Sequence, residues 1–299
     1  VHKRAKTDRQ KATWHHNKKD EISASCKQLN KSCANPHWCD QIGGHTGNKA
    51  PSLINRYPVF LANGDPMIRI IKYLLLPLHF VFSTTAGLLI GLARPFHPTN
   101  SRICARLFGF FGLPIIGLKV RVNNTEHFPT DRPFVVICNH QSNWDLFVVG
   151  QAVPERTVSI GKKVLKWIPL FGQLYWLAGN ILIDRGNHSK AMESMELTKR
   201  ALLEKNTNMW FFAEGTRNHG KNMLPFKKGG FITAINAGVP IVPVCVAPYL
   251  DGFSLDKLDN GAVEIEVLPL METSDYNAEN VDELMQVCRD SMMSVIQKL

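Results

Sequence analysis

The sequence predicts an α/β domain, a mixed β-sheet flanked by helices, preceded by an N-terminal membrane-associated helical segment. Three observations predict it. From Lys119 onward, short β-rich apolar runs alternate with helical ones, the pattern of a three-layer α/β fold. In the last segment Val281, Leu284, Met285, Cys288, Met292 and Val295 recur at helical spacing, with Asp282 and Glu283 in the first turn. Tyr73 to Ala93 is a run of 21 residues without a formal charge, long enough to span a bilayer.

Residues 1–66 lack hydrophobic periodicity and are rich in Lys, Asn, His and Ser; the first methionine is Met67. They are read as a disordered tail or as translated upstream sequence. Cys26, Cys33, His37 and Cys39, like the His15–His16 pair, lack the spacing of a zinc site, so no metal is expected. This stretch holds 11 of the 35 Lys/Arg and 5 of the 25 Asp/Glu, leaving 24 against 20 thereafter. The body is thus only mildly basic, which argues against nucleic acid as a partner and is compatible with an anionic membrane surface. The seven cysteines show no framework spacing and read as reduced thiols of a cytosol-facing domain.

Residues 67–118 form the membrane-anchoring segment. Pro77, His79, Ser83, Thr84 and Thr85 dilute the first apolar run, and positive charge flanks both of its ends, so a re-entrant or interfacial helix competes with a spanning one. The second run, Leu107 to Leu118, is interrupted by Gly109, Gly112, Pro114 and Gly117; it is too short to span and is expected in the interface. Residues 119–299 form the α/β domain. Strands are expected at Lys119–Val122, Phe134–Cys138, Val158–Ile160, Ile181–Ile183, Met209–Ala213, Ile241–Val246 and Val263–Leu268, with a helix over Ser189–Leu203.

The stretch Val135-Val136-Ile137-Cys138-Asn139-His140-Gln141-Ser142-Asn143-Trp144-Asp145 runs from a buried strand into polar residues, and Ser142 or Asn143 can cap the helix that follows. His140 then lies at a strand end and Asp145 within the first helical turns, close enough for carboxylate to meet imidazole. An Asp so placed fixes the tautomer and equips His140 as a general base. Taken alone, a histidine after a strand is as often structural. No Gly-x-Ser-x-Gly elbow supplies an enzyme nucleophile, so the base would activate a hydroxyl of the substrate. Cys138 lies in apolar surroundings that raise a thiol's pKa and is a poor nucleophile.

A second cluster is Trp210-Phe211-Phe212-Ala213-Glu214-Gly215-Thr216-Arg217, where an apolar strand ends in a small loop suited to an oxyanion: Arg217 can grip phosphate in bidentate fashion and Gly215 lets the backbone come close. Gly215 to Lys221 also fits Gly-x4-Gly-Lys, but Asn222 replaces the hydroxyl residue that would hold magnesium and Pro225 spoils an immediate helix. Gly179 to Arg185 places Arg185 at a strand end. Val239-Pro240-Ile241-Val242-Pro243-Val244, with its two prolines, reads by itself as an edge strand.

In this order His140-x4-Asp145, Ile183-Asp184-Arg185, Glu214-Gly215-Thr216-Arg217 and Val239-Pro240-Ile241-Val242-Pro243 match the four motif blocks of the glycerolipid acyltransferases, and Met67 to about Leu299 closely resembles the bacterial 1-acyl-sn-glycerol-3-phosphate acyltransferases. Ala213 stands where the family usually has Pro, and Asn218 where Ser is commoner. The resemblance implies transfer of a fatty acyl group from acyl-CoA or acyl-acyl carrier protein to lysophosphatidic acid, with no metal or prosthetic group. It implies His140 as base and Asp145 as its orienter. Arg185 and Arg217 would hold the acceptor phosphate, with Glu214, Gly215 and Thr216 shaping the loop and Lys162 as a further phosphate contact. Leu107–Leu118 would supply an apolar path beside the arginines. It implies a bacterial cytoplasmic membrane with the catalytic domain on its cytoplasmic face. Another lysophospholipid or glycerol-3-phosphate as acceptor, or a silent lipid-binding protein, are the alternatives; a binder needs the arginines but has no need of a base.

Overall fold

The computed structural model describes residues 65–183, 198–200 and 202–299. Residues 1–64, Arg185 and most of the helix expected over Ser189–Leu203 lie outside them; 198–200 and 202–204 are helical.

The seven expected strands are all present within two residues of their expected limits: β1 (Lys119–Asn123), β2 (Val135–Cys138), β3 (Thr157–Lys162), β4 (Ile181–Ile183), β5 (Asn208–Phe212), β6 (Ile241–Val246) and β7 (Ala262–Val267). They form one sheet in the order β1-β7-β6-β2-β5-β3-β4, parallel throughout except for the β6–β7 pair. A parallel strand covered on both faces reads as a continuous apolar run, and Val135 to Cys138 are wholly buried. Two apolar cores lie on the two faces. One gathers α1 (Pro66–Ala93), α2 (Asn100–Ile116), α3 (Asp145–Val148) and α4 (Phe171–Leu177); the other gathers α5 (Gly229–Ala237) and α6 (Val281–Ile296). In α6 the expected stripe is buried at Val281, Leu284, Cys288 and Met292.

Three expectations are corrected. Neither Ser142 nor Asn143 caps a helix: α3 begins at Asp145 after Trp144, and the Ser142 hydroxyl accepts from the Trp144 N–H (2.9 Å) within the preceding turn. Most of Leu107–Leu118 is the second half of α2 rather than a separate run, with Phe108, Leu113 and Ile116 in the core and Phe110 and Phe111 exposed. Its glycines let other backbone approach: a Cβ at Gly109 would stand 2.7 Å from the Phe147 carbonyl oxygen, and one at Gly112 the same distance from the Phe147 ring. β6 is not an edge strand, since it lies between β7 and β2. Pro243 is tolerated there because its carbonyl, and hence its missing N–H, lies on the β7 side, where the carbonyl accepts from Leu268 N–H (2.9 Å) and paired residues begin only at Val244.

α1 is inverted relative to a soluble-protein helix. Its buried positions are polar or small (Lys72, His79, Ser83, Thr84, Gly87, Gly91), whereas Ile70, Leu74, Leu78, Phe82, Leu89 and Leu92 are exposed. By length and composition it is apolar enough to cross a membrane. Both its ends, however, are fastened to the α/β domain. Near the start, Arg69 pairs with Asp256 and Lys72 Nζ donates to the Lys257 carbonyl (2.5 Å); near the end, Gly91 lies against Leu177.

Candidate active site

Parallel sheets present their loops at the carboxyl ends of the strands, and ligands gather there. β2 delivers His140 to that end, the neighbouring β5 delivers Glu214 to Arg217, and β3 ends in Lys162. β4 ends at Ile183, two residues before Arg185, which itself lies outside the described residues.

His140 Nδ1–H donates to Asp145 Oδ2 at 2.5 Å. A carboxylate only accepts, so this bond assigns a proton to Nδ1 and selects the neutral tautomer in which Nε2 carries the lone pair. The imidazole stacks on Phe212, ring centroids 4.0 Å apart, which covers one of its faces. Asp145, 2% exposed, is saturated: Oδ2 also accepts from the N–H groups of Gln141 (2.7 Å) and Ser142 (3.1 Å), and Oδ1 accepts from the Tyr249 hydroxyl. Ser142 Oγ lies 2.7 Å from the same hydroxyl. Burial, with Asp145 alongside, pushes the Tyr249 hydroxyl far above its ordinary value, so it stays protonated and remains a donor.

The loop carrying this pair is tied to two neighbouring strands. Asn139 exchanges two hydrogen bonds with Val246, and the Gln141 amide donates to the carbonyls of Val246 (3.1 Å) and Ala247 (2.8 Å), both toward the end of β6. On the other side Glu214 accepts from the N–H groups of His140 and Leu224 (2.8 Å each) and from the Asn218 amide (3.3 Å), while Asn218 N–H donates to the His140 carbonyl (2.8 Å). Glu214 therefore points inward and braces the two motif loops against each other rather than contacting a phosphate. The Ala213 position keeps its strand register through its N–H to the Cys138 carbonyl (3.0 Å).

Burial pushes the Glu214 carboxyl up from its ordinary value of 4.5, partly offset by the three donors. A native pKa above the unfolded one means that the native state holds more protons, so this group's contribution to stability falls as pH rises from about 4.5 through the native value. Glu214→Gln is expected to flatten that part of the stability profile while lowering stability overall, because one amide N–H then opposes a backbone donor. Thermal unfolding of both proteins between pH 4 and 7 checks this; a parallel pair of profiles would refute it.

His140, Gly215, Thr216, Arg217 and Lys162 line one cavity of about 940 Å³. Its apolar wall does not include Leu107–Leu118. Tyr73, Leu76, Pro77, Phe80 and Val81 of α1 form it, with Leu146, Phe147, Leu165, Ile168 and Phe171. Lys162, Thr216 and Arg217 are exposed, and none makes an ion pair or hydrogen bond among the described residues, which leaves their donors open to an anion. Cys138 is wholly buried, its thiol held well above the ordinary range by burial, and has no part in the cavity. Of the residues singled out from sequence, the structure thus brings together His140, Asp145, Lys162, Gly215, Thr216 and Arg217, with Glu214 behind them. Sequence reasoning missed Tyr249, Phe212 and Gln141 and treated Asn218 only as a departure from a family pattern. For Gln141, Asn218 and Tyr249 a polar side chain close to an apolar strand end was the only signal; Phe212, apolar within an apolar strand, gave none.

A family profile for acyltransferases matches residues 119–247. The 1-acyl-sn-glycerol-3-phosphate acyltransferase of Haemophilus influenzae is 39% identical over 233 residues, 78% of this chain and 97% of that one. The Escherichia coli K12 protein of the same name is 37% identical over 78% of this chain and 95% of its own length. The human 1-acyl-sn-glycerol-3-phosphate acyltransferase alpha is 37% identical over 62% of this chain and 66% of that one. The crystal structure of the 1-acyl-sn-glycerophosphate acyltransferase from Thermotoga maritima shares the fold, with a TM-score of 0.60 at 21% identity, over 78% of this chain and 96% of that one. With a histidine and a carboxylate hydrogen-bonded beside an apolar cavity that carries exposed cations, the chain belongs to the 1-acyl-sn-glycerol-3-phosphate acyltransferase family.

Proposed function

We propose that the protein transfers a fatty acyl group from a thioester donor, acyl-CoA or acyl-acyl carrier protein, to the free hydroxyl of 1-acyl-glycerol-3-phosphate, giving phosphatidic acid. The observation that carries this reading is the Nε2 of His140, oriented through Asp145 and without a partner among the described residues, on a cavity with an apolar wall and the exposed cations Lys162 and Arg217. A substrate that is half fatty chain and half phosphate needs both surfaces.

In this reading Nε2 takes the proton of the acceptor hydroxyl as its oxygen attacks the thioester carbon. The new C–O bond forms, the carbonyl becomes an oxyanion, and Asp145 stabilises the imidazolium. The intermediate collapses by breaking the C–S bond, and the imidazolium returns its proton to the departing thiolate. Lys162 and Arg217, and the main-chain N–H groups of Thr216 and Arg217, which have no partner among the described residues, serve the phosphate and the oxyanion. Every step uses groups of the chain and its two substrates, without a metal or prosthetic group.

The membrane holds the acceptor. Because α1 is fastened to one domain at both ends, we read it as lying in a leaflet with its apolar face toward lipid, not as crossing it. A soluble acyl donor places the α/β domain on the cytoplasmic face of the bacterial inner membrane.

The test is acyl transfer from labelled acyl-CoA, and separately from acyl-acyl carrier protein, to lysophosphatidic acid by the full chain in mixed micelles. Glycerol-3-phosphate serves as competing acceptor. Phosphatidic acid from either donor supports the reading and selects the donor; product from glycerol-3-phosphate alone would replace the acceptor. Arg217→Ala, which removes a phosphate contact present in ground and transition states alike, is expected to raise the acceptor KM by roughly tenfold or more with a smaller change in kcat. An unchanged KM would remove Arg217 from the phosphate site.

A further inference from the structure

The apolar surface does not end with α1. Between β3 and α4, Val164 is 62% exposed and Trp167 74%, and on the outer side of α4 Trp176 is 55% exposed. These three, with Ile168 and Leu170, form an apolar outcrop that a soluble surface rarely tolerates. Leu170 is also held at φ 62°, a left-handed conformation disfavoured for a branched-chain residue, so the outcrop keeps its shape against a local preference.

Two observations identify what covers it. The outcrop adjoins α1: Phe96, just past that helix, meets Trp176 edge-on with centroids 4.8 Å apart, and the half-buried Phe80 of α1 stacks on Phe171, at the start of α4, at 5.6 Å. Its charge is one-sided as well. From Arg156 to Ile183 the chain carries Arg156, Lys162, Lys163 and Lys166 and no Asp or Glu, and Lys166 Nζ sits 4.5 Å from the Trp167 ring centroid. Tryptophan beside lysine, in a stretch of sequence that carries no acidic residue, is the chemistry of the headgroup layer of an anionic leaflet.

We propose that residues 163–176 are a second membrane-contacting element, a wedge in which Trp167 and Trp176 enter the headgroup layer of an anionic leaflet and Lys166 meets lipid phosphate. The same segment shares the cavity with α1: Val164, Leu165 and Ile168 line it together with Tyr73, Pro77 and Val81. Two lipid-contacting elements thus line the cavity, so a lysolipid reaches it from the leaflet without passing through water. The inference rests on the placement of α1 proposed above, but its test is read without turnover.

The full chain is bound to phosphatidylglycerol–phosphatidylcholine vesicles whose acyl chains are brominated near the headgroup, and tryptophan fluorescence is recorded. Quenching is expected in the parent and should fall clearly in Trp167→Phe and in Trp176→Phe, conservative changes that spare the cavity. The double change Trp167→Ser with Trp176→Ser is expected to weaken vesicle partitioning roughly tenfold. Lys166→Gln should weaken partitioning to anionic vesicles and leave neutral ones unaffected. Undiminished quenching in both Phe variants, or unchanged partitioning in the double Ser variant, would overturn the wedge. Absent acyl transfer with the quenching intact would overturn the proposed reaction and leave the wedge standing.

Discussion

Replacing His140 by alanine is expected to lower kcat for acyl transfer by roughly a hundredfold or more, with the acceptor KM little changed. The effect is catalytic rather than structural because the bonds that hold the loop do not use the imidazole. The His140 N–H still donates to Glu214, its carbonyl still accepts from Asn218, and the flanking Asn139 and Gln141 keep their bonds to β6. Asp145 loses one donor of four and retains Gln141, Ser142 and Tyr249. What goes is the ring nitrogen that has no partner among the described residues, on a side chain that lines the cavity. Steady-state kinetics beside a thermal unfolding curve checks this. A turnover within about tenfold of the parent, below the usual contribution of a general base, would show that another group takes the proton.

The contrast between His140 and Tyr249 shows what the sequence could and could not display. The His140–Asp145 spacing is local: a strand end and the next helical turn bring residues five apart together, so the pair was legible from order and residue type. Tyr249 reaches the same carboxylate from 104 positions away. Its place depends on β6 lying next to β2, and the sheet order β1-β7-β6-β2-β5-β3-β4 leaves no local periodic trace. Strand limits were legible because β2 and β6 are unbroken apolar runs and β1 and β7 alternate with period two; which strands adjoin was not.

The same distinction separates the motif blocks. Val239-Pro240-Ile241 opens β6, and Ile241 pairs in parallel with Val135 at the start of β2, so this block lies at the end of the sheet opposite His140. It is the far end of β6, through Val246, Ala247 and Tyr249, that bears on the site. Glu214, read from sequence as shaping the loop with Gly215 and Thr216, has its carboxylate buried against three donors: the Asn218 amide just beyond its own motif block, the Leu224 N–H, and the His140 N–H on the neighbouring strand end. The inward, polar face of α1 was hidden for a related reason: hydropathy averaged along a helix records how much is apolar, not which side.

Asp145→Asn is expected to lower kcat by about 10²- to 10⁴-fold in a protein that still folds. The change is nearly isosteric, and the site can accept it. The amide oxygen can take the Oδ2 position, facing the His140, Gln141 and Ser142 donors, while the amide nitrogen takes the Oδ1 position and donates to the Tyr249 oxygen. The Tyr249 proton must then turn toward Ser142 Oγ, which already accepts from the Trp144 N–H. One hydroxyl proton is left without a partner, a penalty of about 1–3 kcal/mol that a domain of this size survives. The chemistry fares worse than the fold. A neutral amide cannot stabilise the imidazolium that forms when His140 takes the acceptor proton, and in a site covered by Phe212 little water replaces the lost charge. Kinetics and thermal unfolding together decide the matter: a near-parental kcat would mean that Asp145 only holds the loop, whereas a kcat lost in step with the folded fraction would mean that it only holds the fold. A folded protein with kcat reduced and acceptor KM preserved is the expected result, and it assigns to the carboxylate the stabilisation of charge on His140.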